Sequence, residues 1–262
     1  MVVESPYFGR DLEAMARARN LPRWIMGQFR PFVGRRVIEV GAGCGNFTPL
    51  IAETAPERLL CVEPSANMVA LLRRRVATLP EARVAQGVLS DVPGWIDWSP
   101  DTIFYINVLE HIEDDGGEIR MAFDLIAPGG HILVFVPALR WLFGSADRSF
   151  GHFRRYGRRD LRGVIENAGF QIRALRYFDI AGVIPWFVLF RVFRLRCFTP
   201  GQVTLFDRLV VPVLRRAETL MAPPIGKNLV CVARRPVECA GITGAEGHRR
   251  PGSAARGCHP PT

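Results

Sequence analysis

The sequence lacks the features that define several common classes of protein. Its six cysteines, at positions 44, 61, 197, 231, 239 and 258, form no Cys-x-x-Cys pair. This scatter argues against a disulfide framework or a zinc site and fits a reducing cytosol. The N-terminus has no basic segment followed by an apolar one, because Glu4, Arg10, Asp11 and Glu13 come early, so we expect no secretion. The most apolar segment, 180–190, is shorter than the roughly 20 residues that a membrane-spanning helix needs.

Negative charge is also scarce. The chain has 34 Lys and Arg residues against 25 Asp and Glu, a net charge of +9, and nearly all the cations are arginine. Such a surface attracts nucleic acid, anionic lipid or anionic substrates, and charge alone does not choose among them. With 262 residues, 48% of them hydrophobic, the chain can bury one substantial core, so we expect a single elaborated α/β domain.

The chain is organised around an apolar run that ends in three glycines spaced two apart, Gly41, Gly43 and Gly45. The pattern predicts a buried parallel strand that turns sharply into a helix. Glycine lets a ligand approach the backbone closely, so the loop is a candidate seat for a small molecule. The dinucleotide fingerprint requires glycine where Asn46 stands, and a P-loop requires Gly-Lys-Ser/Thr, which is absent.

Two later strands end in polar residues. Arg58–Glu63 is the predicted second strand, and Glu63 lies about twenty residues beyond the glycines, where an acid that binds both ribose hydroxyls is expected. Residues 101–107 form the predicted fourth strand. Ligands of open parallel sheets bind beyond the carboxyl ends of the strands, so Asn107 and His111 are expected at the reaction centre.

Four blocks occur in a fixed order: Glu-x-Gly-x-Gly-x-Gly at 39–45, Glu63, Asn-Val-Leu-Glu-His-Ile at 107–112 and the Pro-Gly-Gly turn at 128–130. Together they resemble class I S-adenosylmethionine-dependent methyltransferases over about residues 36–235. The resemblance implies an α/β, Rossmann-like fold with helices on both faces of a seven-stranded sheet. Its strand order would be 3-2-1-4-5-7-6, with the last strand antiparallel.

The resemblance also implies S-adenosyl-L-methionine as the cofactor. The glycines would pass under its methionine moiety, Glu39 would face its cationic amino-acid end, and Met68 would rest against adenine. The family's adenine-binding acid is replaced by Val88 unless Asp91 serves, and the Leu89 N–H remains available. The implied cofactor residues are Glu39, Gly41, Ala42, Gly43, Gly45, Asn46, Glu63, Pro64, Met68, Val88, Leu89, Asn107 and Val108.

No metal is expected. The acids Glu110, Glu113, Asp114 and Asp115 could bind Mg²⁺, but they are better explained as the solvated start of a helix, where the helix dipole favours negative charge.

For the acceptor side, His111 is the first candidate for a general base, because its ordinary pKa lies near neutrality, and a structural histidine is the alternative. His152 is the second candidate. It belongs to Gly-His-x-Arg-Arg-Tyr at 151–156, which resembles a motif of one methyltransferase subgroup and adds Tyr156 as a catalytic candidate. Arg154 and Arg155 are expected to bind an anionic part of the acceptor, or else to pin the loop through pairs with acids such as Asp147.

We predict five segments: an N-terminal helical lid at 1–34, a cofactor-binding core at 35–178, a hydrophobic helical insertion at 179–226, a last core strand at 227–235 and a disordered tail at 236–262. In the lid, Asn20 or Trp24 could help close the substrate pocket. The insertion combines an apolar run with arginines. It could pack as a subdomain or dimer contact, roof an apolar substrate, or make peripheral membrane contact through 180–198.

The expected function is methyl transfer to a small-molecule acceptor, hydrophobic or lipid-linked, with an anionic group. No nucleic-acid partner is expected, and the oligomeric state is left open. The expected location is cytoplasmic, or membrane-peripheral if the insertion meets lipid. One alternative is a non-catalytic cofactor-binding scaffold at the membrane. An NAD(P)-dependent oxidoreductase is disfavoured by the glycine spacing and by the lack of a Tyr-x-x-x-Lys pair.

Overall fold

A single seven-stranded sheet forms the centre of the molecule. The structure is a computed structural model that describes residues 18–195 and 199–237, so residues 1–17 of the predicted lid and 238–262 of the predicted tail lie outside the described residues. The strands are β1 (Arg36–Val40), β2 (Arg58–Glu63), β3 (Ala82–Gln86), β4 (Thr102–Ile106), β5 (His131–Pro137), β6 (Gln171–Phe178) and β7 (Asn228–Arg234). Their order is β3-β2-β1-β4-β5-β7-β6, and only β7 runs antiparallel to its neighbours, which confirms the predicted topology.

Helices cover both faces of the sheet. The α-helices are α1 (Asn20–Phe29), α2 (Thr48–Ala52), α3 (Ala66–Val76), α4 (Asp115–Leu125), α5 (Ser145–Ser149), α6 (Arg158–Asn167), α7 (Val183–Trp186), α8 (Pro200–Leu205) and α9 (Val211–Leu220). A π-helical segment, Phe187–Val192, continues α7, and a second one, Phe206–Val210, joins α8 to α9. Short 3₁₀ turns occur at Arg30–Phe32, Leu89–Gly94, Leu109–His111 and Arg140–Leu142.

The central strands are apolar on both sides, as a sheet covered by helices on both faces requires. In β1, Ile38 and Val40 pack into the hydrophobic layer on one face, while Val37 packs into the layer on the other. Phe104 of β4 shares the second layer with Phe29 of α1, and their rings meet edge to face at 5.9 Å. The sheet therefore has two hydrophobic layers, and α1 covers part of the second.

The sheet topology also places the site. β1 pairs with β2 on one side and with β4 on the other, so the connections that follow β1 and β4 leave the sheet over opposite faces. A crevice opens where connections diverge in this way at the carboxyl ends of parallel strands. In the part of the chain that the structure describes, no helix is both long and apolar enough to cross a membrane.

Candidate active site

One large cavity of about 620 Å³ lies at the carboxyl ends of β1, β2, β4 and β5. This volume falls within the roughly 300–1,000 Å³ that small-molecule sites occupy. Every residue predicted to bind the cofactor lines it except Gly45, and His111, His152 and Arg155 also line it. The cavity therefore joins the predicted cofactor loop to both candidate bases.

The glycine loop has the backbone conformation that its sequence requires. Gly41, Gly43 and Gly45 have φ values of +63°, +56° and +81°, in the left-handed region. A Cβ on Gly41 would lie 2.6 Å from a methyl carbon of Val108, so the connection after β4 packs directly on this loop. Gly45 differs from the prediction, because it does not line the cavity. A Cβ on Gly45 would lie 2.9 Å from a methyl carbon of Leu72 in α3, so this glycine lets the loop pack closely against that helix.

Glu63 braces the same loop from the end of β2. One carboxyl oxygen accepts from the Gly43 N–H at 2.8 Å and the other accepts from the Ser65 N–H at 2.9 Å. Burial raises the pKa of Glu63, and these hydrogen bonds oppose that rise. Each carboxylate oxygen has a second lone pair, so both can still accept from ribose hydroxyls.

Glu39, the second-last residue of β1, is buried and lines the cavity. Burial raises its pKa to about 7, although its Oε2 accepts a hydrogen bond of 2.6 Å from the Thr48 hydroxyl. A buried carboxyl of this kind gains stability when a cation is placed beside it. Glu39 therefore fits the cationic amino-acid end of S-adenosylmethionine.

The opposite end of the cofactor region is apolar. Met68, Val88 and Leu89 line the cavity there. Asp91, the alternative adenine-binding acid, accepts from the Val88 N–H at 3.0 Å and is not among the lining residues. The apolar side chains suit contact with an adenine ring.

The two candidate bases lie side by side, with ring centroids 4.6 Å apart and edge to face. His152 Nδ1 is 3.0 Å from Oδ1 of the buried Asp147. Burial alone would raise the pKa of Asp147, but its hydrogen bonds with His152 and the Gly144 N–H and the charge of Arg155 outweigh burial and lower it. An ionised carboxylate only accepts, so Nδ1 of His152 carries the proton and Nε2 is left as the basic nitrogen of the neutral ring.

His111 has a different environment. Burial and the neighbouring His152 lower its pKa to about 3, so it is neutral and weakly basic at physiological pH. The geometry therefore favours His152 over His111 as a base, the reverse of the order expected from the sequence.

Glu110 corrects the prediction of a solvated acidic cluster. Its side chain is 0% exposed, and neither carboxyl oxygen has a hydrogen-bond partner among the described residues. Burial raises its pKa to about 7, partly offset by the charges of His152 and Arg155. Only Glu113 and Asp114 of the acidic run are exposed, and Asp114 caps α4 by accepting from the Gly117 N–H at 2.9 Å.

Glu110, His111 and His152 also form a donor cluster. Within the described residues, one ligand atom from each of the three lies within 4.8 Å of the others. Two imidazoles and a carboxylate can share a proton, and the same set can hold a divalent transition metal. The sequence prediction did not assemble this cluster, because Glu110 was assigned to a solvated helix start.

The two arginines do not form the paired anion clamp that was predicted. Arg155 is buried and donates to Asp147 at 2.8 Å and to the Ala138 carbonyl at 3.1 Å. Arg154 is outside the large cavity and forms an ion pair of 2.9 Å with Asp115. The geometry therefore matches the alternative in which Arg–Asp pairs pin the loop, and it leaves only Arg155 at the cavity wall.

Tyr156 is also outside the large cavity, contrary to its prediction as a catalytic residue. Its hydroxyl donates to Asp115 Oδ2 at 2.6 Å and contacts the Leu109 carbonyl at 3.2 Å. It thus anchors the 3₁₀ turn that carries Glu110 and His111.

α1, part of the predicted lid, lies at the cavity wall, but through other residues than the two that were predicted. Leu21, Pro22 and Ile25 line the cavity, whereas Asn20 and Trp24 do not. Trp24 is buried against Phe178, with ring centroids 3.9 Å apart, and the Asn20 amide donates to the Asp207 carbonyl at 2.9 Å. Leu21 and Ile25 are four residues apart and therefore lie on one face of α1.

Trp186, Val203 and Lys227 are among the residues of the cavity wall that were not predicted. Trp186 and Val203 come from the insertion, and Lys227 precedes β7. Arg155 and Lys227 both lie against the Trp186 ring, at 4.4 Å and 5.5 Å from its centroid, and Lys227 also pairs with Asp179 at 3.1 Å. Lys227 is the only lysine in the sequence, and this rarity was the one available signal.

Comparison with known proteins agrees with this geometry. The methyltransferase domain family matches residues 12–175. Among curated relatives, the tRNA U34 carboxymethyltransferase of Syntrophotalea carbinolica is 30% identical over 112 residues, 42% of this chain and 34% of the relative. The trans-aconitate 2-methyltransferase of Variovorax paradoxus is 34% identical over 105 residues, 39% of this chain and 38% of the relative.

Among solved structures, an S-adenosylmethionine-dependent methyltransferase from Mesorhizobium loti has a TM-score of 0.54 and 16% identity, covering 80% of this chain and 95% of that one. This likeness shows the fold. The chain spans 34–58% of the lengths of three curated relatives that it matches.

The fold and the family match together define the class: the chain belongs to the class I S-adenosylmethionine-dependent methyltransferases. S-adenosyl-L-methionine is accordingly its cofactor. The glycine loop, Glu39 and Glu63 form a cavity end whose backbone and charges fit that molecule.

Proposed function

We propose that this protein catalyses methyl transfer to a small-molecule acceptor with a hydrophobic body, and that His152 is the general base. The observation that carries the proposal is the cavity of about 620 Å³, which joins the cofactor loop to a histidine oriented by Asp147. A base held by a third group in this way is the usual arrangement for proton removal in enzymes.

The cofactor supplies an electrophilic methyl group on a sulfonium, and its leaving group departs neutral. The protein therefore has to align the reactants and exclude water. Glu39, Glu63 and the glycine loop fix the cofactor, while Leu21 and Ile25 of α1 cover the cavity. Nε2 of His152 takes the proton of an acceptor O–H or N–H, and Asp147 stabilises the imidazolium that results.

The nature of the acceptor is inferred from the far wall of the cavity. Phe135, Phe150 and Trp186 line it, and Arg155 and Lys227 lie beside them. The apolar side chains suit a hydrophobic acceptor, and the N–H donors that Arg155 and Lys227 do not use in their pairs with Asp147 and Asp179 suit an anionic group on it. The two relatives are named for tRNA and for trans-aconitate, which differ in size and chemistry, so their names do not define the acceptor of this chain.

The proposal is tested with His152→Asn and His111→Asn. The assay follows an isotope-labelled methyl group from S-adenosylmethionine into lipids and water-soluble metabolites extracted from the source cells. We expect His152→Asn to slow transfer roughly 10²–10⁴-fold. We expect the affinity for S-adenosylhomocysteine, measured by calorimetry, to stay within about twofold, because the ribose and methionine contacts are intact.

The outcomes separate the alternatives. If His111→Asn transferred methyl groups slowly while His152→Asn did so at the native rate, His111 and not His152 would be the base. Loss of transfer in EDTA, restored by a divalent metal, would mean that Glu110, His111 and His152 hold a metal ion. Tight cofactor binding without transfer into either extract would favour the scaffold alternative.

A further inference from the structure

Exposed apolar side chains are concentrated in the insertion, residues 179–226. Leu209, Val213 and Leu220 are 64%, 68% and 90% exposed. Solvent-exposed apolar patches of this kind commonly mark interaction sites. The insertion contributes these exposed apolar residues: Ile184, Phe187, Val192, Phe193, Leu195, Leu205, Leu209, Val213, Leu220 and Met221.

The helix that runs from α8 to α9 has an apolar face on each side. Val203, Val211 and Leu214 are buried on the inner face. Leu205 and Leu209, at four-residue spacing, are exposed and lie about half a turn away from the buried positions. The inner face accounts for the packing of this helix on the molecule, and the outer apolar face needs a different explanation.

The charges of the insertion are segregated. Its three acids, Asp179, Asp207 and Glu218, are all buried. Its described arginines are all exposed, and none of them forms an ion pair within the part of the chain that the structure describes: Arg191, Arg194, Arg208, Arg215 and Arg216. The outward charges of this segment are therefore all positive.

We propose that the outer face of the insertion docks on the surface of an anionic lipid bilayer. Exposed leucines and aromatics would enter the interface between headgroups and acyl chains, and the arginines would pair with lipid phosphates. A second copy of this chain would bring the same positive charges to the contact, and nucleic acid would leave the leucines exposed to water. No described helix is able to span a membrane, so the contact is peripheral.

The docking surface and the cavity share their helices. Trp186 lines the cavity, while Ile184 and Phe187 of the same helical segment are exposed. Val203 lines the cavity, and Leu205 is exposed two residues later. If the proposed function holds, an acceptor that resides in the membrane could reach the cavity between these segments without entering bulk water.

Vesicle co-sedimentation of the full chain tests the docking surface. The probe is phosphatidylcholine vesicles containing about one third phosphatidylglycerol, compared with pure phosphatidylcholine at low salt. We expect binding to the anionic vesicles that weakens at least about fivefold when salt is raised from about 0.05 M to 0.5 M. The variant Leu205→Ser/Leu209→Ser/Val213→Ser should lower partitioning about tenfold or more.

Two further variants sharpen the result. Arg208→Gln/Arg215→Gln/Arg216→Gln should remove the preference for anionic vesicles, and the control Leu71→Ser/Val237→Ser, exposed apolar residues outside the insertion, should leave binding unchanged. Unchanged S-adenosylhomocysteine affinity shows that each variant is folded. Absence of binding to anionic vesicles, or equal binding by the triple-serine variant, overturns the proposal.

A dimer that the triple-serine variant dissociates, with no vesicle binding, would instead identify a contact between copies. The vesicle result does not depend on cofactor binding. A chain that binds vesicles but transfers no methyl group would therefore refute the proposed function and leave the docking proposal intact.

Discussion

Glu110 is the least expected residue of the site. A carboxyl that is fully buried and has no hydrogen-bond partner among the described residues costs folding free energy when it is ionised. It persists beside His152 and the Arg155 guanidinium, whose charges oppose the effect of burial on its pKa. Such a cost, placed at the cavity wall, is typical of a functional position.

The pH dependence of stability tests this description. The pKa of Glu110 rises from 4.5 to about 7 on folding, so between these values the folded state holds more protons than the unfolded state. The contribution of Glu110 to the free energy of unfolding therefore falls as the pH rises from about 4.5 to about 7. Urea unfolding measures the free energy of unfolding of Glu110→Gln and of the native protein at pH 5 and at pH 8. The difference, variant minus native, should be on the order of 2 kcal/mol larger at pH 8 than at pH 5. A difference that is the same at both pH values contradicts the burial of this charge, and the exposed Glu113→Gln serves as control.

Glu63 carries a second prediction at this scale. Glu63→Ala removes the proposed acceptor for the ribose hydroxyls and releases the Gly43 and Ser65 N–H groups. Hydrogen bonds to a charged group contribute about 1.5–3 kcal/mol each, so we expect S-adenosylhomocysteine to bind about thirtyfold more weakly or worse. Calorimetry measures the change. The exposed Glu53→Ala should bind normally, and a Glu63→Ala protein with native affinity would remove Glu63 from the cofactor site.

At the scale of elements, α1 is capped from the insertion. Asp207, buried in the π-helical segment between α8 and α9, accepts from the backbone N–H groups of Arg19, Asn20 and Leu21 at 2.8–3.1 Å. It thereby satisfies donors that the first turn of α1 leaves unpaired. The cap ties the lid to the insertion across 186–188 residues of sequence.

Removing this cap should destabilise the fold. Asp207→Ala removes the acceptor of three backbone N–H groups, of which the Leu21 N–H is buried, so we expect a loss of about 1–3 kcal/mol in the free energy of unfolding, measured in urea. The control is Asp97→Ala, because the Asp97 side chain is 93% exposed and pairs only at the surface with Arg58. An Asp207→Ala protein as stable as this control would show that the cap is energetically unimportant.

At the scale of the whole molecule, the cofactor should stabilise the native state. A ligand at about one hundred times its Kd stabilises a protein by about 2.7 kcal/mol, which corresponds to a rise in Tm of roughly 5–10 °C for a chain of this size. We expect this rise with S-adenosylhomocysteine in a thermal unfolding experiment and none with NAD. A rise with NAD alone would support the oxidoreductase alternative.

Local patterns in the sequence determined the sheet and the cofactor end of the site. β2 lies at Arg58–Glu63, as predicted, and β4, at Thr102–Ile106, falls within the predicted residues 101–107. Residues at strand ends are positioned by the strands themselves, which is why Glu63 and Asn107 reach the cavity as expected.

Only the tertiary structure decided the acceptor end. Whether Arg155 binds a substrate or Asp147, whether Glu110 faces water or a cavity, and whether Trp24 or Ile25 covers the site depend on contacts between distant segments. Sequence periodicity shows that a side chain is apolar or charged, but not which partner it meets. The sequence by itself therefore determined the class of protein and its cofactor loop, whereas packing between lid, insertion and sheet decided which side chains face the acceptor.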